Sequence, residues 1–219
     1  LAEAEFDDVT FTSMGGTPQT FTMATRGLRL GGTLTISDSV STTTLDTSVS
    51  NLAITAGPVT IGAGGIVTAN GSTITISGNF NFSAGTFTFG TSTVVFAANG
   101  TLTTPGIVNT IYFFNLTVND NVTLTLVGHV RMNNANIGGA TGGSVSGFFR
   151  FRTDGILSVG AGVTVMNTLV DLNSPQTVPG ITYYFLLISV SGTFPLGGNI
   201  TTTGNGICNA VTDQMVISI

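Results

Sequence analysis

Few residues of this chain could do chemistry, and most of them are scattered. Among 219 residues there are one histidine, one cysteine, ten acidic residues and five basic residues. A metal centre needs His, Cys or carboxylate groups at close spacing. The one such group consists of Glu3, Glu5, Asp7 and Asp8. A calcium ion could bind there, but we favour a solvated acidic segment and predict no metal and no cofactor.

Nucleophilic catalysis also lacks its usual residue patterns. His129 lies near Arg131 in a strand-like segment, and we interpret it as a surface or partly hydrogen-bonded histidine. Cys208 fits a small buried side chain, and a single cysteine cannot form an intramolecular disulfide. There is no G-x-S-x-G elbow, and the Gly-rich segments 62–65 and 138–139 do not open a helix as a phosphate-binding loop does. We therefore predict that the chain is not an enzyme.

Six N-x-S/T sequons are candidate glycosylation sites. The abundance of Asn, Ser and Thr would produce most of them by chance. They have meaning only in a secreting host that glycosylates asparagine. The asparagines are Asn70, Asn81, Asn99, Asn115, Asn121 and Asn199.

The composition argues against nucleic-acid and membrane partners. Lysine is absent, charged residues are 7% and the formal net charge is -5, so no cationic cluster is available for phosphates or anionic lipids. The mean hydropathy is +0.47, yet Gly, Thr, Ser and Asn interrupt every window of about 20 residues. The chain begins at Leu1 without a leader pattern. We favour a processed secreted protein over a trimmed one, and expect it outside the cell or at the cell surface.

A repeat of about 20 residues runs through the middle of the chain. Short strand-like segments recur every six or seven residues, and three of them make one repeat, so that residues 53–72 align with residues 73–92. Ile54 aligns with Ile74 in this register, which also extends forwards to Val94 and backwards to Leu34. Such a period is typical of a parallel β-helix.

Alternation within each segment supports this all-β prediction. Apolar residues alternate with Thr, Ser or Asn, which directs one face inward and one to solvent. Gly and Asn-Gly pairs supply the turns. The alternative is an antiparallel β-sandwich or jelly roll, whose strands usually recur at longer intervals.

A family resemblance follows from two segments. Residues 83–96 and 112–118 resemble a unit, G-T-F-T-x-G-x-S-T-V-x-F followed by F-x-N-L-T-V, of secreted prokaryotic β-solenoid surface and adhesin-like proteins. The resemblance covers a quarter to a third of the chain. It implies an extracellular, non-catalytic role and transfers no site residues.

The two ends depart from the repeat. We predict a capping or exchanged strand segment at residues 1–30, a β-solenoid at residues 31–155, and a C-terminal β capping region at residues 156–219. The strand in residues 1–12 is expected to pair with the sheet of a neighbouring subunit. Intramolecular capping is the alternative.

These features favour an extracellular structural protein. We expect a subunit of a surface filament, sheath or layer that polymerises with itself by strand addition and apolar end contacts, with an adhesive role towards surface glycans. One alternative is an ice- or crystalline-glycan-binding solenoid. Its T-x-T face would use Thr33/Thr35, Thr73/Thr75, Thr86/Thr88 and Thr123/Thr125. Another alternative is a virus fibre or capsid protein.

The register also predicts the core. Ile54, Ile74, Val94 and Phe87 should be buried in stacked rows. The four phenylalanines at positions 80, 82, 87 and 89 are not all expected to face inward.

Overall fold

Short strands and tight turns follow one another along the whole chain. The computed structural model describes residues 6–107, 110–138, 142–147, 149–160, 162–166, 168–189, 193–203, 207–209 and 216–218. This part of the chain contains no helix, and its parallel strands stack in about 8 turns of roughly 21 residues. The fold is a β-solenoid. The predicted parallel β-helix is therefore confirmed, and the alternative antiparallel sandwich or jelly roll is wrong.

The strands have the following bounds, in chain order. They are β1 (Val9–Phe11), β2 (Gln19–Thr22), β3 (Leu28–Arg29), β4 (Leu34–Ile36), β5 (Thr43–Asp46), β6 (Ile54–Ala56), β7 (Val59–Ile61), β8 (Gly65–Thr68), β9 (Thr73–Ile76), β10 (Phe80–Asn81), β11 (Thr86–Thr88), β12 (Thr93–Phe96), β13 (Gly100–Thr103), β14 (Phe113–Val118), β15 (Thr123–Val127), β16 (Val130–Ile137), β17 (Ser144–Ser146), β18 (Arg150–Thr153), β19 (Leu157–Val159), β20 (Thr164–Met166), β21 (Leu169–Leu172), β22 (Thr182–Tyr183), β23 (Phe185–Ile188), β24 (Thr193–Pro195), β25 (Thr201–Thr202), β26 (Ile207–Asn209) and β27 (Val216–Ser218).

Three sheets form the sides of the solenoid. The ten-stranded sheet has the order β1-β4-β7-β10-β13-β15-β17-β20-β22-β25. The eleven-stranded sheet has the order β26-β23-β21-β18-β16-β14-β12-β9-β6-β3, and β19 also pairs with β16. The four-stranded sheet, β11-β8-β5-β2, covers only the first coils, and β24 pairs with β27. The cross-section thus loses one side after β11.

The predicted register holds for the central coils. Ile54 lies beside Ile74, and Ile74 lies beside Val94. In the four-stranded sheet, Val67 lies beside Phe87. All four of the residues predicted to stack in the core are buried.

The backward extension of the register is wrong. Leu34 lies beside Val59 in the ten-stranded sheet, and it is Leu28 that lies beside Ile54. The coils before residue 54 are longer because their turns are longer. A solenoid accommodates such insertions in its turns while the strands stay stacked.

Aromatic side chains fill the core where the four-stranded sheet ends. Phe80, Phe82 and Phe87 are buried, and Phe89 is partly buried against the same core. The ring centroid of Phe82 lies 5.9 Å from that of Phe87, and the ring of Phe113 lies 5.8 Å from Phe82 and 5.7 Å from Phe87. Such tilted and edge-on pairs add to the stabilisation that burial provides.

One corner of the solenoid requires a left-handed backbone in successive coils. Asn51, Asn70 and Gly90 have φ values of 50°, 42° and 56°. Asn tolerates this conformation better than most residues. A Cβ on Gly90 would lie 2.6 Å from the Cα of Asn70, so Gly90 meets both a conformational and a steric requirement.

The sheets extend on both sides of the predicted 31–155 range. Strands β1 to β3 already form the first coil. Strands β20, β22 and β25 continue the ten-stranded sheet, and β21, β23 and β26 continue the eleven-stranded sheet. Strand β1 pairs with β4 of its own chain, beside Leu34–Ile36. None of the described residues belongs to a helix long and apolar enough to cross a membrane.

Candidate functional site

In the part of the chain that the structure describes, no further coil stacks on the outer side of the first coil, and we call this side the open end. The inward-facing residues of the first coil continue the core columns of the next coil: Val9 lies beside Leu34, Phe11 beside Ile36, Phe21 beside Leu45 and Leu28 beside Ile54. The second-coil members of these pairs are at most 1% exposed. In the first coil, by contrast, Phe21 is 38% exposed, and Val9, Phe11 and Leu28 are only partly buried. An apolar surface thus faces out along the solenoid axis.

The same end carries unpaired strand edges. Strands β1 and β2 are the terminal strands of their sheets in the described part of the chain. Gln19 and Met23 donate their backbone N–H groups to Thr42 and Asp46 of the next coil. Alternation along the strand therefore directs the N–H groups of Thr20 and Thr22 towards the open edge. Such an edge is a template for another strand.

Charged side chains gather on the outer face of the eleven-stranded sheet. Arg131 lies beside Arg152, and Arg152 beside Asp171. The Nε of Arg131 lies 2.7 Å from Asp154 Oδ2 and that of Arg150 lies 3.0 Å from Asp171 Oδ2. Arg152 Nε lies 3.4 Å from Asp154 Oδ1 and 3.6 Å from Asp171 Oδ2. Three arginines and two aspartates thus form one network.

The network suits charge balance better than proton transfer. Burial alone would raise the pKa of Asp154, but hydrogen bonds from Arg131 and Asn173 and the charges of Arg131 and Arg152 outweigh it and lower that pKa. A carboxylate with a lowered pKa is a weak base at neutral pH. Asp171 is fully buried and also accepts a hydrogen bond from Ser189. We infer that the network joins three successive coils.

Asp38 organises a corner of the second coil. Its carboxylate accepts backbone N–H groups from Val40 and Ser41, both at 2.9 Å, and from Ser13 of the coil before at 3.0 Å. The bond from Val40, then those from Ser41, Ser13 and Thr43, lower the pKa of Asp38 against the opposing effect of burial. This carboxylate holds a turn and is not free to act on a ligand.

A polar groove follows the other half of the eleven-stranded sheet. Asn115 donates to Thr93 Oγ1 at 3.2 Å, and Asn134 donates to Asn115 Oδ1 at 3.0 Å. The backbone N–H of Ile156 donates to Asn134 Oδ1 at 2.9 Å. This amide ladder, from Thr93 to Ile156, crosses four coils. It lines a cavity of about 380 Å³.

The six sequon asparagines do not form one site. Asn70 is a left-handed corner residue, and Asn115 belongs to the amide ladder. Asn81 accepts hydrogen bonds from Ser83 on the ten-stranded sheet. The remaining three, which are exposed, are Asn99, Asn121 and Asn199.

The other chemistry-bearing residues are also separate. His129 is partly buried, its Nδ1 accepts the backbone N–H of Arg150 at 3.1 Å, and its ring packs edge-on against Phe149. Cys208 lies beside Leu187 in the sheet. Glu3 and Glu5 lie outside the described residues, while Asp8 accepts the N–H of Thr33. Within the described ranges, no three His, Cys, Asp or Glu residues are grouped as metal ligands would be.

The four T-x-T pairs lie on three different sheets. Thr33/Thr35 and Thr123/Thr125 lie at β4 and β15 of the ten-stranded sheet, with β7, β10 and β13 between them. Thr73/Thr75 lies on the eleven-stranded sheet and Thr86/Thr88 on the four-stranded sheet. The pairs therefore do not form one flat face.

Neither the charge network nor the amide ladder was predicted from the sequence. Arg131, Arg152 and Asp171 are spaced by about one coil length, which is a signal that could have been found. The ladder depends on two successive outward-facing residues in β14 and again in β16, where the alternation shifts. A strict period of two does not predict such a shift.

No protein-family model, curated protein or solved structure matches the chain.

Proposed function

We propose that this chain is an extracellular structural protein, a subunit of a surface filament, sheath or layer with an adhesive role. The observation that carries the proposal is the open first coil. Its apolar columns and unpaired edges are suited to another coil of the same kind. The extracellular location is supported by the resemblance of residues 83–96 and 112–118 to secreted surface proteins.

The occupant of the open end is the last coil of a second copy. Among the described strands, β25 and β26 are the last of the ten- and eleven-stranded sheets, on the opposite side from β1 and β3. Because all strand pairs are parallel, copies placed head to tail continue both sheets in the same direction. Such a heterologous contact does not close on itself and propagates as a filament. Since β1 pairs within its own chain, assembly through a free edge replaces the strand exchange expected for residues 1–12.

A matched pair of variants tests the proposal. Phe21 at the open end is 38% exposed, and Val127 on the side of the solenoid is 43% exposed. Aspartate at either site adds a charge to a similarly exposed apolar position. By sedimentation velocity and negative-stain microscopy, the wild type and Val127→Asp should form filaments and Phe21→Asp should stay monomeric. Filaments of Phe21→Asp, or loss of filaments in Val127→Asp alone, would contradict the proposal.

A second pair of variants controls for local unfolding of the first coil. The ring of Phe21 lies 5.0 Å from that of Phe11, so a charge there could disturb both. Thr20→Pro removes an N–H from the open edge and leaves the bonds to β5 in place. Thr20→Val removes the hydroxyl but keeps the N–H. Filaments should be lost only in the proline variant, and equal assembly of the two would count against edge pairing.

A further inference from the structure

Three shallow cavities adjoin one another on the outer face of the eleven-stranded sheet. Their volumes are about 480, 380 and 410 Å³. The first two share Thr117 and Asn136, and the last two share Ile156 and Ser158. Together they form a groove that extends from Asp120 to Gln176. The stretch from Thr93 to Gln176 crosses four strand spacings, or roughly 19 Å along the solenoid axis.

The backbone bends that form the groove recur in three coils. In β14 and in β16 the alternation of buried and outward residues shifts by one position. In the next coil the chain leaves β18 and enters β19, both of which pair with β16. Asn115 and Asn134 lie at these bends, and their hydrogen bonds join the coils.

The groove keeps free hydrogen-bonding capacity. Each side-chain amide nitrogen has two N–H groups, and each amide oxygen has two lone pairs. On Asn134 the ladder uses one N–H group and one lone pair, so that one N–H group and one lone pair remain for a ligand. The side chains of Asn136 and Thr117 make no hydrogen bond with any described residue, and Asn136 is exposed. Donors and acceptors thus point outward from successive coils.

The chemistry of the lining selects the class of ligand. Asp120 is the one charged side chain among the residues that line the three cavities, so an ionic ligand gains little there. The floor is the face of a sheet, which does not offer the free edge on which an extended peptide adds a strand. A polymeric ligand with many hydroxyl groups can form hydrogen bonds with the amide and hydroxyl groups that repeat along the groove.

We propose that this groove binds a neutral polysaccharide chain lying along the solenoid axis. The site is separate from the open first coil. It identifies the residues through which a surface solenoid would adhere to uncharged glycans, and filament formation does not depend on it.

Affinity electrophoresis of the full chain tests this proposal. The gels contain a neutral β-glucan, xylan, galactomannan or glycol chitin with its amines acetylated, or the acidic polygalacturonate. At least one neutral polysaccharide should retard the wild type. The double variant Asn136→Ala/Thr117→Val should bind that polysaccharide about thirtyfold more weakly, because two hydrogen bonds of about 1 kcal/mol each are lost.

The control is Thr103→Val, which removes an outward hydroxyl from the ten-stranded sheet. It should bind like the wild type. Thermal unfolding should be unchanged in both variants, since neither groove side chain has a hydrogen-bond partner among the described residues. No retardation by any neutral polysaccharide, retardation only by polygalacturonate, or equal retardation of the wild type and the double variant would overturn the proposal. Sedimentation of the same variants reports on filaments independently.

Discussion

At the scale of single residues, the charges of this chain serve mainly to hold coils together. Three of its five basic residues lie in the network with Asp154 and Asp171. A buried carboxylate such as Asp171 is tolerated because cations and a hydroxyl surround it, and removal of one partner of a buried pair costs about 3–5 kcal/mol. The scarcity of charge elsewhere avoids stacking like charges about 4.8 Å apart.

The lowered pKa of Asp154 predicts acid-sensitive stability. A carboxylate whose folded pKa is depressed stabilises the fold above the unfolded pKa of about 3.9, and this contribution is lost as the pH falls through the folded pKa. The free energy of unfolding in urea should therefore fall as the pH is lowered from about 5 through the unfolded pKa and on through the lower folded pKa. Asp154→Asn should be less stable at pH 7 and should show a smaller fall.

The control for this measurement is Asp7→Asn, which removes a carboxylate from an exposed side chain. It corrects for the change in net charge. Equal pH dependence of wild-type and Asp154→Asn proteins would show that the ion pairs of Asp154 do not contribute to stability.

At the scale of elements, stacked columns of like residues define each strand. Where the ladder of backbone bonds is interrupted at corners, side-chain amides take its place. Asn79 accepts the N–H of Thr101 and Asn99 accepts that of Thr123, in each case the residue stacked above it. These bonds satisfy backbone groups that a turn would otherwise leave without a partner.

Two adjacent positions of β9 test this stacking. Ile74 is 3% exposed between Ile54 and Val94, whereas Thr75 faces outward between Thr55 and Val95. Ile74→Asp should lower the free energy of unfolding by about 4 kcal/mol or more, because it strands a charge in the core. Thr75→Asp should change it by less than about 1 kcal/mol. Urea unfolding measures both, and similar values for the two variants would contradict the register.

The sequence predicts these columns correctly in the coils whose turns all have the same length. Ile54, Ile74 and Val94 are evenly spaced, and their pairing follows directly. The prediction that Leu34 lies beside Ile54 is wrong, because longer turns in the early coils shift the register and turn length carries no hydrophobic signal. The amide ladder was missed for a related reason, since it arises at bends that break the alternation.

At the scale of the whole molecule, the two directions of the solenoid differ in how well the core is covered. Within the described ranges, the core columns are covered on the sides of the solenoid and uncovered at its first coil. Burial of about 25 cal/mol per Å² of apolar surface and continuation of parallel sheets both favour another coil at that end. Adhesion through the groove on one side would leave this end free to assemble.

Fibre diffraction from aligned filaments is the most direct test of whether copies of the chain stack end to end. If copies stack end to end, the strands of every coil lie across the filament, and a reflection near 4.8 Å should appear along the filament axis. Filaments built from side-by-side solenoids would place that reflection at right angles to the axis. End-to-end stacking should give the first pattern. The second pattern, or a protein that remains monomeric at high concentration, would rule out end-to-end stacking.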